Sequence, residues 1–202
     1  MALVTGASSG IGLAYARELA RRGYDLLLVS NEQERIGTVA EELAAAFGVK
    51  TIPLCMDLAR SEAARELYDY CEREKLQIGI LVNNAGIFFF DDLTEVAPER
   101  IETMLLLHIR TVTLLCRYFG AAMKRRRAGY ILNMSSLSAW TPAPGISVYA
   151  ASKSYIRKFS QMLRYELHQY GVGVTTVCPG AIATGLYNLS DYYQRLALRL
   201  GV

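Results

Sequence analysis

Residues 2 to 12 read Ala2-Leu3-Val4-Thr5-Gly6-Ala7-Ser8-Ser9-Gly10-Ile11-Gly12. A short apolar run passes into a turn carrying Gly6, Gly10 and Gly12, and residues 13–22 then follow a helical pattern that Gly23 ends. Strand, glycine turn and helix in that order make a βα unit. Backbone N–H groups at such a turn and at the helix N-terminus face an incoming anion, and glycines let it approach closely. The spacing is not the G-x-G-x-x-G form. Alone, the turn reads either as a nucleotide cradle or as tight packing between strand and helix.

The unit recurs outward from there. Residues 25–30, 50–56, 78–82, 130–134 and 172–178 are five further apolar runs of strand length, and 25–30 is apolar almost throughout, as suits a parallel strand covered on both faces. Helical patterns fill residues 32–47, 59–75, 98–124 and 147–170, with Pro98 at the first turn of the third. Leu189, Tyr193, Leu196 and Leu200 recur at helical spacing in the tail. Strands alternating with helices predict an α/β fold, a doubly wound parallel sheet of six strands with right-handed crossovers. The 202 residues fit one domain, 1–202.

Composition narrows the class. Hydrophobic residues make up 52% of the chain, ample for a core, yet no uninterrupted apolar run reaches the ~18 residues of a membrane span. The start carries no secretory pattern of basic segment, apolar run and cleavage site. The net charge of +3 is mild, and Lys124-Arg125-Arg126-Arg127 is its one dense cluster. A cationic helix end suits the helix dipole and is preferred to a nucleic-acid patch, since interleaved aromatics and further basic clusters are missing. Cys55, Cys71, Cys116 and Cys178 are far apart, with no C-x-x-C pair. They read as buried free thiols, with no metal site, in a reducing, cytoplasmic setting.

Tyr149 and Lys153 stand four apart on a predicted helix and so share one face. An ammonium beside a phenol favours the phenolate. Moving a tyrosine from ~10 to a working value near ~7 takes roughly 4 kcal/mol. One surface lysine does not supply that; a lysine with a second, cofactor-borne positive charge in a partly dry cleft does. The plain alternative is an ordinary helix with one aromatic and one solvated lysine. Asp57, after the third strand, reads either as a contact to an adenine ring or as a helix N-cap.

Four motifs occur in order: Thr5-Gly6-Ala7-Ser8-Ser9-Gly10-Ile11-Gly12, Asn83-Asn84-Ala85-Gly86, Tyr149-Ala150-Ala151-Ser152-Lys153 with Ser136 thirteen residues before the tyrosine, and Pro179-Gly180-Ala181-Ile182-Ala183-Thr184. Together they resemble the short-chain dehydrogenase/reductase family in its ordinary single-domain branch, over residues 2 to about 184. The resemblance implies a Rossmann fold binding NAD or NADP and reversible hydride transfer to a carbonyl or from an alcohol. It implies that Gly6, Ser8, Ser9, Gly10, Ile11 and Gly12 hold the pyrophosphate end. Asp57 and Leu58 would meet adenine, and Asn83, Ala85 and Gly86 would flank the adenosine ribose. Lys153 would hold the nicotinamide ribose, and in the motif opened by Pro179 and Gly180, Ile182 and Thr184 would contact the carboxamide. Tyr149 would move the proton and Ser136 would orient the substrate oxygen.

The chain departs from the family pattern in three places. Many members carry an Asn in the long helix, and the matching position here is His108, which either replaces that Asn or is a helix histidine satisfied by backbone. Members usually continue into a seventh strand and a helix that builds the subunit interface. Here the sequence ends at Val202, within an expected lid helix over about 186–200. A seventh strand is therefore not expected, and a homo-oligomer would lack its usual segment. Ser30 and Asn31 at the end of the second strand are uncharged. A carboxylate there would repel the extra phosphate of NADP, so NADP is preferred to NAD.

Phe88, Phe89, Phe90, Trp140, Tyr187, Tyr192 and Tyr193 suit a lipophilic ketone or alcohol if they line the cleft, and are plain core otherwise. The expected function is an NAD(P)-dependent oxidoreductase on a small carbonyl or alcohol substrate. The alternative, motivated by His108, is a nucleotide-sensing or scaffold protein that keeps the fold without turnover.

Overall fold

The computed structural model describes residues 1–141, 143–180 and 182. The expected lid helix, with Tyr187, Tyr192 and Tyr193, and Thr184 lie outside the described residues. Strands β1 (Ala2–Thr5), β2 (Leu26–Ser30), β3 (Thr51–Cys55), β4 (Ile80–Asn83), β5 (Gly129–Met134) and β6 (Val172–Val177) form a parallel sheet in the order β3-β2-β1-β4-β5-β6. The connections carry α1 (Gly10–Arg21), α2 (Gln33–Phe47), α3 (Ala63–Arg73), α4 (Pro98–Leu105), a π-helical segment (Leu106–Thr111), α5 (Val112–Arg126) and α6 (Ser147–His168).

Strand alternation explains the layers. Ala2, Val4, Leu26 and Leu28 turn to the face covered by α1 and α2 and meet Ala16, Ala20, Ile36, Val39 and Leu43. Leu3, Leu27 and Val29 turn to the other face, against Leu67 and Cys71 of α3 and Leu115, Cys116 and Phe119 of α5, with Leu167 of α6 in the same cluster. Both faces are dry, so β1 and β2 carry almost no polar residue. β3 lies at the edge. It alone among these strands carries a proline, Pro53, which an edge tolerates because one side of the strand has no ladder to feed.

The strand order reverses between β1 and β4. Beyond the carboxyl ends of these two strands the connections diverge to opposite faces, and a doubly wound sheet opens its crevice there.

Two expected helices differ from the structure. Residues 59–62 form turns and α3 begins only at Ala63, because Asp57 Oδ1 accepts the Ala59 N–H and closes a side-chain turn first. The expected helix over 98–124 is one rod with a widened turn at Leu106–Thr111, around the fully buried His108. The basic cluster ends α5: Arg126 donates to Ile78 O, Arg127 to Gln169 O, and Lys124 lies 4.0 Å over the Tyr170 ring. Among the described residues, no helix is long and apolar enough to cross a membrane, and no group of His, Cys, Asp and Glu side chains could hold a metal.

Candidate active site

The glycine turn is fixed by backbone contact. Gly6 has φ +63°, the left-handed region, and a Cβ on Gly12 would lie 2.0 Å from Gly6 O and 2.5 Å from Asn84 Nδ2. Thr5 Oγ1 accepts the N–H groups of Asn84 and Ala85 (2.9 and 3.0 Å), and Asn84 Nδ2 donates to Thr5 O and Gly6 O. The β1 turn and the β4 turn are thus laced together across the point where the strand order reverses.

A cleft of about 680 Å³ opens above them. Of the residues expected there from sequence, Gly6, Ser8, Ser9, Gly10, Ile11, Asn31, Asp57, Leu58, Ala85, Gly86, Ser136, Tyr149, Lys153, Pro179, Gly180 and Ile182 line it. Asp57 does so but is not a helix N-cap: Glu62 precedes α3, and Asp57 Oδ1 closes a side-chain turn with the Ala59 N–H instead. Asn83 and Gly12 are not among its lining residues. Asn83 does not line the cleft: as the last residue of β4 it faces the core, 3% exposed, and donates to Asn133 Oδ1 at 2.8 Å, so alternation leaves Asn84 at the cleft. Gly12 lies beneath the turn, where its missing side chain lets α1 press against Gly6 O.

The other wall comes from β5 and α6. Ser136 follows β5 and its Oγ accepts from the Ser138 N–H and the Ser138 hydroxyl (3.2 and 2.8 Å). Both contacts use the oxygen as acceptor, which leaves the Ser136 O–H to donate into the cleft. Ser135 Oγ donates to Lys153 O at 2.7 Å and ties α6 to the strand end. Tyr149 and Lys153 stand one turn apart on α6, with Lys153 Nζ 5.5 Å from the Tyr149 ring centre and donating to Met134 O at 3.1 Å. Burial pushes the Lys153 ammonium down to about 8, and nearby Cys178 offsets this only in part.

His108 sits behind the wall, not on it. Its Nε2 accepts the Ile87 N–H at 3.0 Å, so the ring proton is on Nδ1 and is donated to Ser152 Oγ at 2.9 Å. Ser152 in turn donates to the Tyr149 carbonyl at 2.7 Å. Burial, and then the Lys153 charge, hold the imidazole well below its usual titration range, so it is neutral. One of its two partners is thus backbone, the Ile87 N–H, and the other is the Ser152 side chain.

The aromatic expectations divide. Phe88 lines the cleft and meets Tyr149 edge-on at 5.0 Å. Phe89 is core, beside Val96 and Met104. Phe90, Leu137 and Trp140 are exposed, with Arg157 stacked 4.5 Å over Trp140.

Glu32 and Arg35 also line the cleft, and the sequence reading missed both. One signal was available: Glu32 follows Gly12 by twenty residues, about the spacing at which a dinucleotide fold places its ribose-binding acid.

These residues fit a dinucleotide. The first turn of α1 has no side-chain cap and no acid, so its N–H groups are open to an anion. One continuous cleft joins that turn to Asp57 on one side and to Tyr149 and Ile182 on the other.

Known proteins resemble the chain over most of its length. The family model described as short chain dehydrogenase matches residues 1–191. A very-long-chain 3-oxoacyl-CoA reductase of Anas platyrhynchos is 36% identical over 196 residues, covering 94% of this chain and 62% of the relative. The inactive hydroxysteroid dehydrogenase-like protein 1 of Homo sapiens is 33% identical over 199 residues, covering 96% and 59%. The chain therefore spans about three fifths of the length of these curated relatives. A solved short-chain dehydrogenase from Sphingobium yanoikuyae, in complex with NADPH, superposes with a TM-score of 0.88 at 35% identity, covering 93% of this chain and 73% of that one.

Proposed function

This chain belongs to the short-chain dehydrogenase/reductase family, and from that premise we propose that it transfers hydride between NADP(H) or NAD(H) and a carbonyl or secondary alcohol. The observation that carries the reading is the convergence of Ser136, Tyr149 and Lys153 on one wall of a cleft whose far end is the glycine turn. The bound coenzyme supplies the hydride donor or acceptor at nicotinamide C4. The N–H groups of residues 8–11 hold its pyrophosphate, and Asp57 and Leu58 flank its adenine. During reduction, the Ser136 O–H fixes the carbonyl oxygen and Tyr149 gives its phenolic proton to that oxygen as the alcohol forms. Oxidation runs the same proton back to Tyr149. Lys153 holds the nicotinamide ribose and keeps a positive charge beside the phenol. His108 and Ser152 hold the Tyr149 backbone and act as positioning residues.

NADP is the preferred coenzyme, supported by the NADPH complex of the Sphingobium relative. A lipophilic ketone is the preferred substrate. Phe88 on the wall and exposed Leu137, Phe90 and Trp140 offer apolar surface, and the Anas relative is named for a long-chain oxoacyl substrate. The free thiols of Cys55, Cys71, Cys116 and Cys178 accord with a reducing, cytoplasmic setting.

The test is oxidation of NADPH and NADH by the protein across a panel of aliphatic, aromatic and steroidal ketones. Turnover is expected with one or more bulky apolar ketones, and Tyr149→Phe is expected to lower kcat by about 10³ or more. Undiminished turnover in Tyr149→Phe rules out the proton-transfer role. The second reading, a coenzyme-binding protein without turnover, is favoured by the human relative being named inactive. Tight coenzyme binding with no oxidation of any panel member would select it.

A further inference from the structure

A second cavity, of about 340 Å³, lies where α3 and α5 come together below the amino end of β4, at the opposite pole of the sheet from the coenzyme cleft. Its floor is apolar. Cys71 of α3, Ile78 before β4, and Phe119 and Ala122 of α5 are all buried, and Tyr68 stands edge-on to Phe119 at 5.3 Å. The volume is within the roughly 300–1,000 Å³ of small-molecule sites, which pair such a floor with a few polar groups. Those groups stand at the mouth: Lys75 and Arg126, both exposed, with one acid, Glu72. Arg126 is fixed there by its bond to Ile78 O at 2.7 Å, which occupies one N–H of the fork.

Lys75 supplies a second, independent observation. Its φ is +54°, in the left-handed region that disfavours side chains. The position closes α3: the Leu76 N–H donates to Cys71 O at 2.8 Å, and glycine fits such a closure without strain. Gly23, Gly48 and Gly171 hold left-handed positions just after α1, α2 and α6. α5 ends instead on Arg127, at φ +53°, whose side chain secures Gln169 O. Among the described residues, the Lys75 ammonium makes no hydrogen bond or ion pair. The helix dipole does not require it, since Arg73 already stands in the last turn of α3. A strained backbone thus holds at the mouth a cation for which the fold has no use.

We propose that this cavity is a second ligand site and that it takes an amphipathic carboxylate of medium chain length, with its tail on the Phe119 and Ala122 floor and its carboxylate between Lys75 and Arg126. Two cations with one acid favour an anion over a neutral or cationic headgroup, and a planar carboxylate suits the Arg126 fork. The floor offers the tail hydrocarbon, aromatic rings and a thiol, with no charged group. The site shares no lining residue with the coenzyme cleft, so it stands apart from the coenzyme reading.

Binding of octanoate, octanol and octylamine is measured by calorimetry, and the isoleucine methyl signals of the protein in solution locate the site. Octanoate is expected to bind about tenfold or more tighter than either analogue. It should shift the Ile78 methyl and leave those of Ile11 and Ile87, which line the cleft, in place. Lys75→Gly should weaken octanoate about tenfold while raising the unfolding temperature, because glycine fits the left-handed position. Ala122→Phe, which fills the cavity, should abolish binding. No binding of octanoate by the parent, undiminished binding in Ala122→Phe, or shifts at Ile11 and Ile87 in place of Ile78 overturns the site. Equal affinity for the three amphiphiles, or unchanged octanoate affinity in Lys75→Gly, overturns its selection of a carboxylate. A lowered unfolding temperature in Lys75→Gly would show that the lysine serves the fold and overturn the role given to it here. If Ala122→Phe does not fold, the methyl shifts of the parent decide alone.

Discussion

His108 stays neutral when folded, because ionising it would bury a charge and cost Nε2 its acceptor role toward Ile87. The sign of its effect on stability follows. Its folded value lies below the ordinary 6.5, so between the two the unfolded chain binds more protons. The stability this residue secures is fully present above about 6.5 and is lost as pH falls below it, by up to about 1.4 kcal/mol per pH unit. An Asn side chain offers one acceptor and one donor without titrating. His108→Asn should therefore keep turnover and flatten the loss of stability between pH 7.5 and 5.5, whereas His108→Phe orphans the Ile87 N–H and should cost about 1–3 kcal/mol and most of kcat. Urea unfolding at both pH values checks this, and equal slopes for the parent and His108→Asn would rule it out. Distance along the chain decides which such residues a sequence reveals. Tyr149 and Lys153 were legible because their relation is one helical turn. The partners of His108 lie 21 and 44 residues away, and Glu32 meets Ser8 across 24, so their roles exist only in the folded sheet.

Elements were legible wherever one local rule dominated. β1 and β2 are apolar on both faces and announced themselves as covered parallel strands, and glycines marked several helix ends. The π-helical segment was not legible, because residues 98–124 keep an unbroken helical pattern and the widened turn answers to tertiary packing around His108. The ordered motifs located most of the cleft, but not which of Asn83 and Asn84 faces it, since one residue of strand phase reverses the side. Glycines show how far context overrides composition. Gly37 lies within α2, and a Cβ added there would meet nothing within 4 Å, so Gly37→Ala should stabilise by about 0.5–1 kcal/mol through helix propensity. On α1, Gly12→Ala drives a methyl into Gly6 O and must push the helix off the turn. A loss of about 1–3 kcal/mol and coenzyme affinity weakened about tenfold or more are expected. Thermal unfolding of the two variants should therefore shift in opposite directions, and a neutral Gly12→Ala would show that the turn does not need this close contact.

At the scale of the whole molecule, the active site draws on a margin of stability that for folded domains is only about 5–15 kcal/mol. Lys153 is 5% exposed, and burial lowers it from 10.5 to about 8. Below about 8 the folded protein carries that buried ammonium at a cost of about 3 kcal/mol. Between about 8 and 10.5 the unfolded chain binds more protons than the folded one, so this cost fades and the parent gains stability as pH rises through that window. Lys153→Met removes the cost at every pH but leaves Met134 O without its donor, a loss of about 1–2 kcal/mol. The variant should thus be more stable than the parent by roughly 1 kcal/mol at pH 7, while losing turnover, and this advantage should shrink by about 2 kcal/mol and reverse by pH 10. Denaturant unfolding of both proteins at the two pH values measures the difference directly, since other titrating groups cancel between them. A pH-independent difference would mean that Lys153 binds its proton equally in the folded and unfolded chain, so that the ammonium beside Tyr149 is carried without the burial cost argued here.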